Sequence, residues 1–305
     1  MRHRLFLLTI GICVLLCSAA VLAQVEGSRA FTFPENNNRL FTLQAKGGNP
    51  EKAGPVKIQF FGHMAFKFTS PEGTTVLVDP WRNDPSGAWG KWYPHEFPEG
   101  PVDIVLETHA HFDHDAVHRP HALMVMERLI GQFRLADVEI TGLADKHQCH
   151  SEGQQKWDEI TTEFGFSTCP PNNPLAFDNA IQIIKTGGIR IAVWGDNRSE
   201  PSPEVEKQLV GVDALILPID GTEHILTYKE VDNIVRKYHP KAVIPAHYKV
   251  VGAESVLSGL KSADGWVEMQ HDVRRLDTAT LELTPAELTG AQGRVYYFGN
   301  HFEDK

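Results

Sequence analysis

Cysteine is scarce in this chain. Of the four present, Cys13 and Cys17 fall within the first 23 residues, which leaves Cys149 and Cys169 for the rest of the 305. One disulfide between them is the most that an exported form could carry. Positive charge is also short, with 29 Lys and Arg against 39 Asp and Glu and a net charge of -10. An acidic surface argues against a nucleic-acid backbone as partner. There is no internal repeat and no low-complexity tract. A G-x-S-x-G elbow and a Walker-type phosphate loop are both missing, so serine-nucleophile and phosphate-loop chemistry find no support.

The one apolar run that approaches membrane-spanning length lies at the start. Met1-Arg2-His3-Arg4 is basic, Leu5 to Leu16 is apolar, and Ser18 to Ala23 offers small residues for cleavage. Residues 1–23 therefore read as a secretory signal peptide, with an uncleaved anchor as the rival. Leu16 stands where a lipoprotein site before Cys17 would want a small residue. Cleavage removes Arg2 and Arg4 and no acid, which takes the net charge from -10 to -12. The expectation is an exported protein, periplasmic or secreted, that touches a membrane only if the segment stays attached. Cys149 lies in His147-Gln148-Cys149-His150, where a disulfide or a free thiol is favoured over a metal ligand.

With 42% hydrophobic residues the remainder suits one large domain or two small ones. Residues 24–54, punctuated by Asn36-Asn37-Asn38 and Gly47-Gly48-Asn49-Pro50, read as an extended lead-in. A domain over 55–305 follows. Alternation predicts strands at 56–60, 65–69 and 75–78, and apolar runs predict others at 102–106, 122–126, 138–141, 214–218 and 242–245. Residues 180–184 and 189–194 form a hairpin across Thr186-Gly187-Gly188. Residues 228–238 have helical spacing, and 151–176 read as irregular. Strand-rich halves with helices between them favour two packed sheets with helices outside. The loop 81–100 carries Trp81, Trp89, Trp92, Tyr93 and His95, as either a substrate wall or a packed surface loop.

What the chain does have is Thr108-His109-Ala110-His111-Phe112-Asp113-His114, directly after the apolar run 102–106. On an extended chain residues two apart point the same way, so His109 and His111 can grip one ion. Asp113 and His114 would diverge on a strand, but a turn into a helix lets both face a second ion. Imidazole and carboxylate donors suit zinc, manganese or iron and not calcium.

The motif is followed by His147, by Gly195-Asp196 after a strand, and by Pro245-Ala246-His247-Tyr248 after a later one. In that order these elements resemble the metallo-β-lactamase fold superfamily from about Val56 to His247. Phe61-Gly62-His63 and Leu77-Val78-Asp79-Pro80 resemble its ascorbate-6-phosphate lactonase-like branch, which also contains uncharacterised metal-dependent hydrolases. The resemblance implies an α/β (α+β) fold, an αββα sandwich of two mixed sheets with outer helices and metals at one edge. It implies two divalent ions, zinc first and manganese or iron as alternatives. His109, His111 and His147 would hold one, Asp113, His114 and His247 the other, and Asp196 would bridge both. His150 could replace His147. His63 would be pocket wall or lie behind the ligands, and Asp79 would support the site by hydrogen bonding. Asp220 replaces one of the glycines that often follow the motif resembling Leu217-Pro218-Ile219. His224 just beyond it could face substrate or lie on the surface.

The function so implied is a dinuclear metal-dependent hydrolase. A hydroxide shared by the ions would attack a small ester, lactone or phosphodiester, with Asp113 as the catalytic carboxylate. A β-lactamase of the same fold is the alternative, although such enzymes generally lack the bridging aspartate. A metal-binding protein without turnover is another. An iron redox enzyme would usually carry Glu where His111 stands. The partner expected is a small-molecule substrate; oligomeric state is open.

Overall fold

The computed structural model describes residues 35–149, 177–249 and 259–303. The signal-like segment 1–23, His150, Cys169 and the irregular stretch 151–176 lie outside them. The chain divides into two units, residues 1–42 and 43–305. Of the first, residues 35–42 are described and form the start of helix α1, Glu35–Lys46. This corrects the extended reading over 35–46, while residues 24–34 lie outside the described residues. Its asparagines are tolerated in a helix, and Leu43 gives it a buried position. Gly47, at φ 62, then ends it in the left-handed conformation that suits a helix C-terminus.

Two sheets make up the larger unit. One has six strands in the order β13-β1-β2-β3-β4-β5. Here β1 is Val56–Phe60, β2 Phe66–Thr69, β3 Thr75–Val78, β4 Pro101–Glu107, β5 His121–Glu127 and β13 Thr280–Leu283. The other has eight, in the order β12-β14-β11-β10-β9-β8-β7-β6. Its members are β6 Gly131–Leu135, β7 Val138–Asp145, β8 Asn179–Thr186, β9 Ile189–Val193, β10 Ala214–Pro218, β11 Ala242–Ala246, β12 Val273–Arg275 and β14 Arg294–Tyr297. Both sheets are mixed, as an α/β sandwich of this class requires. Strand β1 alternates buried and half-buried residues, the mark of a strand covered on one face. Strands β10 and β11 are buried at every position and pair in parallel. That is why their sequences are continuous apolar runs.

The crossovers differ between the sheets. In the eight-stranded sheet β9 reaches β10 through helix α2, Pro203–Leu209, and β10 reaches β11 through helix α3, Tyr228–Tyr238. Helix α3 begins with a reciprocal cap between Thr227 and Glu230 and buries Val231, Ile234 and Tyr238. In the six-stranded sheet β3, β4 and β5 are also parallel neighbours, yet both connections are loops. The first is 79–100 and the second is 108–120. These two loops carry the aromatic cluster and the histidine motif. A short helix α4, Asp264–Val267, completes the helices among the described residues. No helix there is long and apolar enough to cross a membrane.

The aromatic loop is packed. Trp81, Trp89, Trp92, Tyr93 and Phe97 are buried together with Phe61, Leu77, Val102 and Val105. Trp81 stacks on Tyr93 at 4.0 Å between ring centroids, and its indole N–H donates to Phe61 O at 2.8 Å. Asn83 fixes the loop by accepting the N–H groups of Trp92 and Tyr93 at 2.7 and 2.8 Å, while its own amide donates to Tyr93 O.

Candidate metal centre

The site gathers where strands of both sheets end, and the backbone there is bent the same way repeatedly. His63, Asp79, Arg128 and His247 all have positive φ, 57, 49, 50 and 62° respectively. Asp79 directly follows β3, Arg128 follows β5, His247 follows β11, and His63 lies just past β1. Each left-handed non-glycine residue costs on the order of 1–3 kcal/mol, which the surrounding structure must hold in place. The benefit is direction, because a side chain that would have continued along the strand is swung into the inter-sheet edge. Gly195, at φ 59, does this after β9 without a side chain. A Cβ on Gly195 would lie 2.7 Å from Thr108 Oγ1 and 2.8 Å from Asn179 Oδ1. The glycine of Gly195-Asp196 is thus required by the close approach of the two sheets.

The motif 108–114 does not enter a helix. Its change of direction comes from a turn in which His114 N–H donates to His111 O at 2.9 Å. That single turn suffices to separate the four side chains. His147 is set by a bridge to Asn197 and by its N–H, which donates to Asp178 Oδ1 at 2.7 Å. Gln148 N–H donates to Asp196 O at 2.7 Å, so the strand end that supplies His147 is tied to the one that supplies Asp196.

Three donor sets result among the described residues. His109, His111, His147 and Asp196 form one, and His63, Asp113, His114 and His247 form a second. Within each, one donor atom per residue lies within 4.8 Å of the others. Asp196 joins the two. Its Oδ2 lies 3.4 Å from His147 Nε2, 3.7 Å from His109 Nε2 and 3.3 Å from His247 Nε2, and its Oδ1 is 3.5 Å from His114 Nε2. All seven residues that the sequence assigned as ligands are brought together here. Asp220, His224 and His247 make the third set.

The donor atoms fit metal ions. The Nε2 atoms of His109, His114, His147 and His247 and Oδ1 of Asp196 are buried without a hydrogen-bond partner. Leaving so many polar atoms unpaired in one place is costly unless something else satisfies them. For three of these histidines the opposite ring nitrogen is occupied: His114 Nδ1 by Asp79 Oδ2 at 2.9 Å, His147 Nδ1 by Gln148 O at 2.6 Å, and His109 Nδ1 by Thr108 Oγ1 at 3.1 Å. Such outer contacts turn the free nitrogen of an imidazole toward a metal. Asp79 also accepts the N–H and hydroxyl of Thr108, each at 2.7 Å. It is thus the supporting carboxylate that its sequence suggested.

Electrostatics point the same way. Burial opposes charge on His114 and His247, yet the surrounding carboxylates, Asp196 foremost, push them up to about 9 and about 10. Burial also works against ionised Asp113 and Asp196. The imidazoles of His114 beside Asp113, and of His247 and His114 beside Asp196, still hold both well below the usual carboxylate range. Burial and neighbouring imidazoles push His63 down to about 3 and His111 down to about 4. The ionised carboxylates thus favour positive charge on the imidazoles beside them.

His63 is more central than a pocket wall. Its Nε2 pairs with Asp113 Oδ2 at 3.1 Å, its ring lies 3.9 Å from that of His247, and its carbonyl accepts the His247 N–H. Trp92 and Tyr93 meet His63 edge-on. Tyr93 offers a buried hydroxyl with no hydrogen-bond partner. The aromatic loop therefore backs the second donor set. His224 is buried, which excludes the surface position that the sequence left open. Its Nδ1 pairs with Asp220 Oδ2 at 2.8 Å, and Asp220 also accepts from the N–H and hydroxyl of Thr222. The residue that replaces a glycine is thus a hydrogen-bonded hub. The spacing of four between Asp220 and His224 is the only sequence signal of it. Cys149 is disulfide-bonded, so it is not a metal ligand.

A cavity of about 370 Å³ opens beside the first set and is lined by His109, Ala110, His111, Arg128, His147, Phe177 and Asp178. Arg128, Phe177 and Asp178 carry no sequence motif. They reach the cavity because β5 and β7 end, and β8 begins, beside it.

Residues 57–247 match the family described as the beta-lactamase superfamily domain. The chain belongs to this metallo-β-lactamase superfamily. A UPF0173 metal-dependent hydrolase from Thermodesulfovibrio yellowstonii is 43% identical over 222 residues, covering 64% of this chain and 79% of the relative. Another from Rubrobacter xylanophilus is 27% identical over 217 residues, covering 65% of this chain and 84% of the relative. A solved structure from Thermotoga maritima, described as a candidate Zn-dependent hydrolase of the superfamily, shares the fold with a TM-score of 0.55 at 23% identity. That likeness covers 79% of this chain and 98% of the other. With its clustered His and Asp donors, the protein is a metal-dependent hydrolase of this fold.

Proposed function

We propose that the protein is an exported dinuclear hydrolase that cleaves a small ester, lactone or phosphodiester with water as nucleophile. The observation that carries the dinuclear reading is Asp196, whose two oxygens face imidazoles of both donor sets. His109, His111 and His147 would hold one ion and Asp113, His114 and His247 the other, with zinc favoured by the nitrogen-rich donors. When bound, two divalent cations supply Lewis acidity for the scissile group and the acidification of water that replaces a side-chain nucleophile. Asp113 remains ionised and orients the attacking water by accepting its proton in a hydrogen bond. His63 fixes the Asp113 carboxylate, and Asp79 fixes the tautomer of His114. The aromatic layer of Trp81, Trp92 and Tyr93 excludes water from behind the second set. Export is supported by the basic-apolar-small pattern of residues 1–23 and by the disulfide at Cys149.

Hydrolysis of bis(p-nitrophenyl) phosphate by the zinc-loaded protein tests this reading, with Asp113→Asn as control and metal content measured on both. Turnover lost in the variant, with two ions per chain in the parent, is the expected result. One ion per chain overturns the dinuclear assignment. Metal bound without phosphodiester turnover restricts the substrate to lactones and carboxylic esters.

A further inference from the structure

The cavity has a single guanidinium or ammonium group among its described lining residues, that of Arg128. The backbone places it there: Arg128 follows β5 directly, adopts φ 50°, and donates its N–H to Glu107 O at 2.9 Å. Its Nη1 donates to Glu107 Oε1 at 3.0 Å, while Nη2 is 3.6 Å from Glu127 Oε2, beyond a hydrogen bond. A guanidinium has five N–H donors in a fixed fork, so most of its capacity remains for a ligand. Glu107, itself buried, holds the guanidinium through Nη1. The acid in the lining, Asp178, already accepts the His147 N–H. Phe177 adds an exposed aromatic side chain, 45% accessible, to the same wall.

We propose that Arg128 and Phe177 are the substrate-reading wall of the cavity, and that the substrate carries a second, anionic oxyacid group on an apolar body. The scissile bond then lies over His109, His111 and His147, while the non-reacting carboxylate or phosphate docks on the guanidinium. This rests on the hydrolase reading for its chemistry, but it concerns the part of the substrate that does not react. The competing role for Arg128 is charge balance for Glu107 alone.

The two are separated by a ratio. For the zinc-loaded protein, kcat/KM is measured on mono-4-nitrophenyl glutarate, which is anionic, and on 4-nitrophenyl butyrate, which is neutral. Damage to the metal centre cancels in that ratio. The parent should prefer the anionic ester. Glu107→Gln/Arg128→Gln leaves no unpaired buried charge and should lower the preference about tenfold or more, chiefly through KM. Arg128→Lys, a point charge without the fork, should fall between. Glu107→Gln alone should raise the preference, since it frees the guanidinium. An unchanged ratio in a folded double variant overturns the proposal. If the parent hydrolyses neither ester, that failure belongs to the hydrolase reading. Calorimetric binding of phenylphosphonate to parent and double variant then decides, with about tenfold weaker binding in the variant as support and equal affinity as refutation.

Discussion

The two donor sets share Asp196 but are built in different ways. The set of His109, His111 and His147 faces a cavity, and the imidazoles of His109 and His147 take their orientation from local contacts one residue away, Thr108 and Gln148. The set of Asp113, His114, His247 and His63 is sealed. It is backed by Trp92 and Tyr93, braced by buried Asp79, and bordered by the Asp220–His224 pair. One half is open to substrate, and the other is held by long-range carboxylates and aromatic packing. On the sealed half His114 and His247 are driven toward charge and His63 away from it, whereas His111 on the open half is driven away from it. A centre with one exchangeable side and one fixed side can admit substrate without loosening its geometry.

If that contrast is right, substitutions on the sealed side should act through the metal and the chemistry. Asp113→Asn should have the largest effect, a loss of about 10²–10⁴-fold in kcat with a native circular-dichroism spectrum. Next comes Asp79→Asn, which releases His114 Nδ1 from its carboxylate. Metal affinity by chelator competition should fall about 10–100-fold, and Thr108→Ala should fall less, since it removes one hydroxyl contact and leaves the His114 pair intact. Equal losses for the two would break the idea that Asp79 acts by orienting His114.

The pH dependence of the metal-free protein sharpens the same comparison. His114 and His247 have folded pKa values raised to about 9 and about 10, so their contribution is complete below the unfolded value of about 6.5. It is lost as pH rises through 9 and 10. His63 and His111 are lowered to about 3 and about 4, so protonation favours unfolding as pH falls from about 6.5 toward those values. The histidines together should give the metal-free protein a Tm maximum near pH 6.5. Zinc must displace the protons on His114 and His247, so the Tm gained on adding zinc should be greater at pH 8 than at pH 6. A zinc-induced shift independent of pH would contradict the charged sealed half. The smallest effect is expected for Tyr93→Phe. Its hydroxyl is buried and unpaired, so removing it should change stability by less than about 0.5 kcal/mol in denaturant titration.

Much of the site was legible because it is written in short spacings at strand ends. His109-x-His111-x-Asp113-His114 needs only a strand and one turn, and Gly195-Asp196 and Ala246-His247 each follow an apolar run. Asp79 was legible as a supporting residue for the same reason. His63 was read as pocket wall or as lying behind the ligands, and its Nε2 lies 3.1 Å from Asp113 Oδ2. Its entry into the second set depends on a left-handed turn and on the contact with His247, neither of which leaves a spacing in the chain. The asparagines at 36–38 suggested extended chain where a helix forms, since their local preference yields to a buried Leu43 and a glycine stop. Strands β6, β12 and β13 were not read, because short, partly exposed edge segments have no strong periodicity, and β14, though interior, is only four residues long.

The sequence by itself determined the strand-end motifs, the donor types and the two-sheet class, because each rests on neighbours a few residues apart. Only the tertiary structure decided which strands lie side by side, with β13 against β1 and β14 between β11 and β12. It alone decided that Arg128, Phe177 and Asp178 share a cavity with three histidines, and that Asp220 closes on His224. Those outcomes depend on sheet order and left-handed turns that join distant segments, and such contacts are set by packing over the whole fold, with no local pattern to announce them.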